Sequence, residues 1–299
     1  MQRRKVRSVQ HAALSTLRIR TLAAAAGLLA ATLAVPGATP AQAVGFVDPN
    51  TPVGVRPNGG SSHATLVFSD EFYGTSLDSS KWSSVDSKRR DGEYFDSWWK
   101  PSNVKVNPNP NPNSVNGGNL WISLSELSDT EYATGEIEGR GKFEFTYGTV
   151  EWRAQMPPDN DLFGALWMMP PGGVNGVDGT ARDGGEYDVI ESTSASDSYG
   201  NTIHYDGYGA DHKVSSVSVN APGLHSGYHT YTVEWRSDRI IYRYDSAIVR
   251  DITDPKLISQ VPMFPVISSE SAEWAVGSIY DAPLDYRSNM YVDYIRVWQ

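Results

Sequence analysis

The chain has 299 residues, and its 35 Asp and Glu residues outnumber its 25 Lys and Arg residues, which gives a formal net charge of −10 at pH 7. An acidic surface disfavours nucleic acids and anionic membranes as partners, and it disfavours strongly anionic polysaccharides unless a local basic patch overrides it. The absence of cysteine excludes disulfides, thiol nucleophiles and metal sites with cysteine ligands, so stability must come from a large core.

The first 43 residues are predicted to be a secretory signal peptide. Six basic residues and no acidic one precede an apolar run at residues 22–35, and small residues at positions 41 and 43 fit the usual cleavage pattern. The apolar run is too short for a comfortable membrane span. We therefore expect a secreted, extracellular protein that begins near Val44, has no membrane attachment in its mature form and is a monomer.

Residues 44–64 are rich in Pro, Gly, Asn and Ser and show no periodicity, so they are predicted to form a flexible leader or linker. From residue 65 onwards, short runs of alternating apolar and polar residues predict strands at residues 66–68, 119–124, 148–154, 229–235, 240–244 and 291–298. Turn residues separate these runs, and residues 107–113 alternate Asn and Pro, which predicts a surface loop. The pattern indicates one all-β domain over residues 65–299, a sandwich or jelly roll.

The most informative segment is residues 185–191, Gly-Glu-Tyr-Asp-Val-Ile-Glu. In a strand, Glu186 and Asp188 share one face, whereas strict alternation places Glu191 on the other. A bulge that inserts one residue between Asp188 and Glu191 brings all three carboxylates to the same face. Crowded acids repel one another, so at least one should keep its proton to higher pH.

One ionised and one protonated carboxyl group are what a glycosidase needs. Retaining hydrolysis places them ~5–5.5 Å apart, a distance that long side chains on a bulged strand can reach. We therefore assign Glu186 as the nucleophile, Glu191 as the general acid and then base, and Asp188 as the group that hydrogen-bonds the nucleophile. The alternatives are a solvated sheet face or a calcium site, although calcium prefers backbone oxygens and loop geometry.

The chain resembles glycoside hydrolase family 16, which contains laminarinases, lichenases and agarases. Residues 186–191 are similar to the family's E-x-D-x-x-E signature in its bulged form, and further blocks match at residues 68–72, 139–148, 165–170, 228–235 and 291–297. The resemblance runs from about residue 66 to residue 299. It implies a concanavalin A-like jelly roll with a concave sugar cleft, retaining endo-hydrolysis of a β-linked polysaccharide and no cofactor in the chemistry.

The resemblance also implies a structural calcium on the convex side of the sandwich. Its ligands would be the side chain of Asp293 and the backbone oxygens of Glu71 and Gly118. The alternative for Asp293 is an ordinary capping acid.

Sugar rings pack on flat aromatic side chains, so a cleft should combine aromatic and polar groups. The substrate-binding candidates, taken from the resemblance and from their position beside the acidic strand, are Trp99, Arg140, Trp167, His204, Glu270 and Trp274. His204 could bond a sugar hydroxyl or a catalytic carboxylate, although a lone strand histidine is more often structural.

The identity of the polymer stays open at this point. Residues 162–164 depart from the Trp-Pro that laminarinases usually have there, and residues 204–213 match no named substrate class. The leading hypothesis is a secreted enzyme of polysaccharide degradation that acts on a β-1,3- or β-1,3-1,4-glucan. The alternatives are an agarase-like galactan hydrolase, a transglycosylase, or a non-catalytic carbohydrate-binding relative, against which the presence of both glutamates argues.

Overall fold

The computed structural model describes residues 46–107, 117–158, 162–174, 176–193, 196–272 and 279–299. The predicted signal peptide and most of the predicted Asn-Pro loop lie outside these ranges. Among the described residues, no helix has both the length and the apolar character needed to cross a bilayer.

The described chain is built from short strands, as the alternating pattern predicts. In chain order the strands are β1 Leu66–Asp70, β2 Ser83–Ser84, β3 Ser87–Arg90, β4 Asp96–Trp99, β5 Val104–Val106, β6 Leu120–Ile122, β7 Ser125–Ser128, β8 Glu131–Thr134, β9 Glu136–Glu138, β10 Gly148–Gln155, β11 Phe163–Met169, β12 Glu186–Glu191, β13 Ser198–Tyr205, β14 Lys213–Asn220, β15 His229–Trp235, β16 Ile240–Tyr244, β17 Ala247–Ile252, β18 Phe264–Glu270 and β19 Met290–Trp298. Single-turn 3-10 helices occur at Pro101–Asn103, Ile279–Asp281 and Tyr286–Ser288.

These strands form two large sheets and a small one. The first large sheet has the order β17-β16-β15-β10-β19-β6-β5, with β1 also paired to β19. The second has the order β14-β13-β12-β11-β18-β9-β2, and the small sheet has the order β3-β4-β8-β7. The predicted all-β jelly-roll sandwich is confirmed.

The core lies between the two large sheets and fixes the orientation of β12. Tyr187 is fully buried, its ring centroid lies 6.1 Å from that of Trp235 on the opposite sheet, and its hydroxyl donates to the carbonyl oxygen of Leu257 at 2.8 Å. Burying two large aromatic side chains stabilises the fold by several kcal/mol, at roughly 25 cal/mol per Å² of apolar surface. Because Tyr187 points inward, its neighbours Glu186 and Asp188 must point to the outer face.

The described part of the predicted leader differs from expectation, because residues 46–64 are attached to the first large sheet. The backbone N–H of Asn58 donates to Glu151 Oε2 at 2.5 Å, and that of Ser62 donates to Glu234 Oε1 at 3.0 Å. Buried carboxylates on the outer face of the sheet need donors, and a turn-rich segment supplies unpaired backbone N–H groups. Composition alone predicted flexibility because it does not show these distant partners. The other domain boundaries stay predictions.

Candidate active site

The predicted bulge is present in β12. Leu166 of β11 pairs with Ile190, but the next residue, Trp167, pairs with Asp188, so Val189 is the extra residue. The register with β13 shifts between Asp188 and Glu191 as well. The bulge brings all three carboxylates to one cleft of about 630 Å³ on the outer face of the second large sheet.

The cleft is lined by five of the six predicted substrate-binding residues, namely Trp99, Arg140, Trp167, His204 and Glu270. Trp274 lies outside the described residues. Sequence reasoning missed further lining residues, which are Arg89, Arg90, Glu136, Ala165, Met169, Thr202, Tyr208, Val214 and Ser216. They come from five different strands and one loop, so no local pattern could group them with the acidic strand.

Burial controls the protonation of the three central carboxyl groups. Burial, and then the charge of Asp188, raise the pKa of Glu186 to about 8. Burial is also the main cause that raises the pKa of Glu191 to about 7. The pKa of Asp188 is raised well above its usual range by burial and then by Glu191. The cleft therefore holds protons at neutral pH, as the crowding of acids predicts.

The raised pKa values of the two glutamates bear on the proposed roles. A reactive site needs Glu186 ionised and Glu191 protonated. The pKa values of Glu186 and Glu191, about 8 and about 7, both lie near neutral pH, so singly protonated forms of the pair are present there. The reactive form is one of these singly protonated forms, and its population is largest between the two pKa values.

His204 lies beside the carboxylates, so the structure favours the second of its two predicted contacts. Its Nε2 is 3.3 Å from Asp188 Oδ2 and 4.0 Å from Glu186 Oε1. The reason is register, since His204 on β13 pairs directly with Glu186 on β12. Side chains that are directly opposite on one sheet face stand within contact distance.

The two predicted cleft tryptophans that lie within the described residues occupy different environments. The Trp99 Nε1–H donates to the Ser269 carbonyl oxygen at 3.2 Å, and the guanidinium of Arg89 lies 4.8 Å from the centroid of its ring. The half-buried Trp167 donates from Nε1 to Ser268 Oγ at 3.1 Å. Because Arg89 lies over the Trp99 ring, Trp167 is the better candidate for packing against a sugar ring.

The predicted polar ligands Glu270 and Arg140 both take part in ion pairs. Glu270 is buried and accepts from Arg89 Nε at 3.1 Å and from Arg90 Nη2 at 3.4 Å. Arg140 donates to Glu138 Oε2 at 3.1 Å and to the Pro171 carbonyl oxygen at 2.9 Å. These pairs keep both side chains at the cleft wall.

Arg89 and Arg90 face the cleft together although they are consecutive in sequence. The register between β3 and β4 shifts between Lys88 and Arg90, which is a second bulge. A bulge again places neighbouring side chains on one face.

Of the three predicted calcium ligands, Asp293 lies within β19, and Glu71 and Gly118 adjoin the ends of β1 and β6, the two strands that pair with β19 on this side. A Cβ atom added to Gly118 would lie 2.1 Å from the Glu71 carbonyl oxygen, so only glycine allows this close approach. The Glu71 side chain is paired with Arg296, and the predicted calcium ligand is its carbonyl oxygen. Asp293 is fully buried, and its Oδ2 is 2.5 Å from Arg153 Nη1. An all-oxygen donor set with one carboxylate fits calcium.

Glu136 is a buried acid that sequence reasoning missed. It is 4% exposed, and burial followed by the charge of Glu270 raises its pKa to about 9. A carboxyl group whose folded-state pKa lies above its unfolded value stabilises the fold fully below the unfolded pKa, and this stability is lost as pH rises through the folded pKa. For Glu136 this loss of stability takes place between pH 4.5, its ordinary pKa, and about pH 9.

We therefore expect Glu136→Gln to raise the melting temperature at neutral and alkaline pH, because a neutral amide needs no proton uptake on folding. The gain in unfolding free energy should be on the order of 2 kcal/mol at pH 7 and should vanish below the unfolded pKa. Thermal melts across this pH range, with the exposed Glu126→Gln as control, measure it. A difference in melting temperature that does not change with pH would contradict the expectation.

Comparisons with known proteins agree with this architecture. The model of the family described as glycosyl hydrolases family 16 matches residues 91–296. The glucan endo-1,3-beta-glucosidase A1 of Niallia circulans is 27% identical over 259 residues, which cover 78% of this chain and 38% of that protein. The beta-glucanase of Rhodothermus marinus is 26% identical over 256 residues, which cover 79% of this chain and 86% of that protein.

Among solved structures, the endo-beta-1,3-glucanase from Pyrococcus furiosus superimposes with a TM-score of 0.59 at 21% sequence identity, covering 78% of this chain and 94% of that one. At this identity the likeness concerns the fold. The aligned part of the chain spans 38–55% of the length of the first three curated relatives.

Proposed function

The chain belongs to glycosyl hydrolases family 16, and from that premise we propose that it is a retaining endo-hydrolase of a β-1,3- or β-1,3-1,4-glucan. The observation that carries the proposal is the bulged strand β12, which directs Glu186, Asp188 and Glu191 into one cleft. Their raised pKa values give the site both a proton donor and a carboxylate near neutral pH.

The reaction proceeds in two displacements. Ionised Glu186 attacks the anomeric carbon while protonated Glu191 gives its proton to the departing glycosidic oxygen, so a glycosyl ester forms and the sugar bond breaks. Glu191, now a carboxylate, then takes a proton from water, which attacks the ester and releases Glu186. Two inversions return the original anomeric configuration. Asp188, between the two glutamates, limits charge repulsion in the cleft when it is protonated.

The substrate class rests on the relatives and on the cleft wall. The names of the two curated relatives described above include endo-1,3-beta-glucosidase and beta-glucanase, which favours a β-glucan. Trp167 and the polar groups around it fit a sugar ring with an apolar face and hydroxyl edges. A galactan hydrolase, a transglycosylase and a non-catalytic binding protein are the alternatives that the experiment separates.

Reducing-sugar release from laminarin, lichenan, agarose, xyloglucan and carrageenan tests the proposal. Sugar release from laminarin or lichenan that is lost in Glu186→Ala supports the proposal. Release from agarose alone would show that the substrate is a galactan and not a glucan. Lengthening of added oligosaccharides would indicate transglycosylation. Polymer binding without release by the wild-type protein would favour the non-catalytic relative.

We further propose that the protein is secreted and monomeric. The amino-terminal pattern of basic, apolar and small residues supports export. The intact mass of the protein recovered from culture medium should correspond to a chain that begins near Val44, and its mass in solution should be that of one chain. An uncleaved amino terminus retained in the cell would contradict the export proposal.

We also propose a structural calcium held by Asp293 and by the carbonyl oxygens of Glu71 and Gly118. Calcium should raise the melting temperature by about 5–10 °C at 100 times its Kd, since it binds only the folded chain. The chemistry needs no metal, so chelation should leave the activity at low temperature unchanged. The shift should be lost in Asp293→Asn and kept in the exposed control Asp285→Asn. An equal shift in both variants would rule out this site.

A further inference from the structure

The segment between β13 and β14, residues 206–212, covers the Glu186 end of the cleft and has no role in the mechanism above. Its first residue, Asp206, is buried and has a φ of 60°, a left-handed conformation that is uncommon for a residue with a side chain. Its carboxylate accepts from the backbone N–H of Gly179 at 3.1 Å and forms an ion pair with Lys213. These contacts fix the start of the segment relative to the cleft.

Tyr208, in the middle of this segment, contacts the proposed nucleophile. Its hydroxyl donates a hydrogen bond to Glu186 Oε2. A donor on one carboxylate oxygen favours the ionised form, so this bond lowers the pKa of Glu186 against the opposing effects of burial and Asp188. It also leaves the other oxygen, Oε1, as the atom available to attack.

His212, at the end of the segment, contacts the proposed site through His204. Its Nε2 lies 2.8 Å from His204 Nδ1, and the two ring centroids are 5.0 Å apart with the ring planes inclined by 14°. Burial lowers the pKa of His212, so its ring is neutral near pH 7 and one of the two facing nitrogens carries the shared proton.

The position of that proton determines what His204 presents to Asp188. If His212 donates, His204 carries its own proton on Nε2, which faces Asp188 Oδ2 at 3.3 Å. If His212 accepts, His204 Nε2 is bare, and Asp188 must hold the proton itself. Asp188 Oδ2 is buried and makes no other hydrogen bond within the described part of the chain. Its available partner is therefore His204 Nε2.

We propose that Tyr208 and His212 are positioning residues for the reaction. Tyr208 orients the carboxylate of Glu186 for attack, and His212, acting through His204, sets the proton between His204 and Asp188. The proposal rests on the proposed function, because it assigns Glu186 as the nucleophile. The charged and titratable groups that face Glu186 and Asp188 from the surrounding elements are Arg89, Glu191, His204, Tyr208 and Glu270.

The first test replaces Tyr208 with phenylalanine. Tyr208 is 56% exposed, so the change should not disturb the core. We expect kcat on the polysaccharide to fall about tenfold with KM within about twofold, since the hydroxyl contacts the nucleophile and not the sugar chain. The control is Tyr286→Phe, at an exposed tyrosine that does not line the cleft.

A pH measurement separates positioning from a merely structural effect. In a Glu191→Gln background, kcat/KM for an aryl β-glycoside with a good leaving group depends on the ionisation of Glu186 and no longer on that of Glu191. This kcat/KM should rise with pH in a single step, and adding Tyr208→Phe should shift the midpoint of the rise to higher pH by about one unit. An unchanged midpoint would overturn the role of Tyr208.

The second test uses His212→Ala and His212→Gln. The glutamine amide can hydrogen-bond His204 Nδ1, whereas alanine cannot. We expect kcat to fall about tenfold in the alanine variant and to recover most of that loss in the glutamine variant. The nitrogen chemical shifts of His204 should report one tautomer in the wild type and a mixture in His212→Ala. Equal rates in both variants would overturn the role of His212.

The outcomes distinguish this inference from the proposed function. If the wild-type protein released no sugar from any polymer or aryl glycoside, the proposed function itself would be contradicted. Full activity that is lost in Glu186→Ala but unchanged in Tyr208→Phe and His212→Ala would overturn only the positioning roles.

Discussion

Glu186→Ala is expected to lower kcat on the preferred polysaccharide on the order of 10⁴-fold or more, with the melting temperature unchanged or raised. The substitution removes the group that forms the covalent intermediate, and the remaining cleft can only bind the substrate. It also removes a carboxyl group whose burial raises its pKa, so the folded state no longer bears the free-energy cost of ionising a buried carboxyl group. Steady-state sugar release and thermal melting measure the two effects.

Two controls make the Glu186 experiment specific. Glu186→Gln keeps the shape of the side chain and should be equally inactive, because the negative charge and not the volume is required. Added azide should restore part of the activity of Glu186→Ala on an activated aryl glycoside and yield a glycosyl azide of inverted configuration, since a single displacement replaces two. A product of retained configuration would assign Glu186 as the acid instead.

Glu191→Gln is expected to produce the second large loss, and this loss should depend on the leaving group. A sugar alkoxide leaves poorly without a proton, so hydrolysis of polysaccharide should fall about 10²–10⁴-fold. An aryl glycoside with a good leaving group needs no acid, so its kcat/KM should fall far less. Equal losses on both substrates would contradict the role of Glu191 as general acid.

The pH dependence gives an independent check on Glu191. In the wild type, both glutamates are protonated well below pH 7 and both are ionised well above pH 8, so activity should be bell-shaped with its maximum between the two pKa values. Without Glu191, the fall at alkaline pH should disappear on the activated substrate, because only the ionised form of Glu186 is then required. A persistent alkaline fall would indicate another acid.

Much of the fold followed from local patterns. The strands at His229–Trp235 and Ile240–Tyr244 have the bounds that alternation predicts, because one face of each strand meets the core and the other does not. The small sheet with Arg89 and Arg90, and the attachment of residues 46–64, were not predicted. Both depend on pairings between segments that are far apart in sequence, which a periodicity does not show.

The sequence by itself determined the acidic face of β12. Whether Glu186, Asp188 and Glu191 share a face depends only on alternation and on one extra residue, and both can be read from neighbours along the chain. Only the tertiary structure decided what surrounds that face. Tyr208 and Glu136 reach it from other segments, and His212 acts on it through His204. The raised pKa values arise from burial, which is a property of the packed cleft and not of any short stretch of sequence.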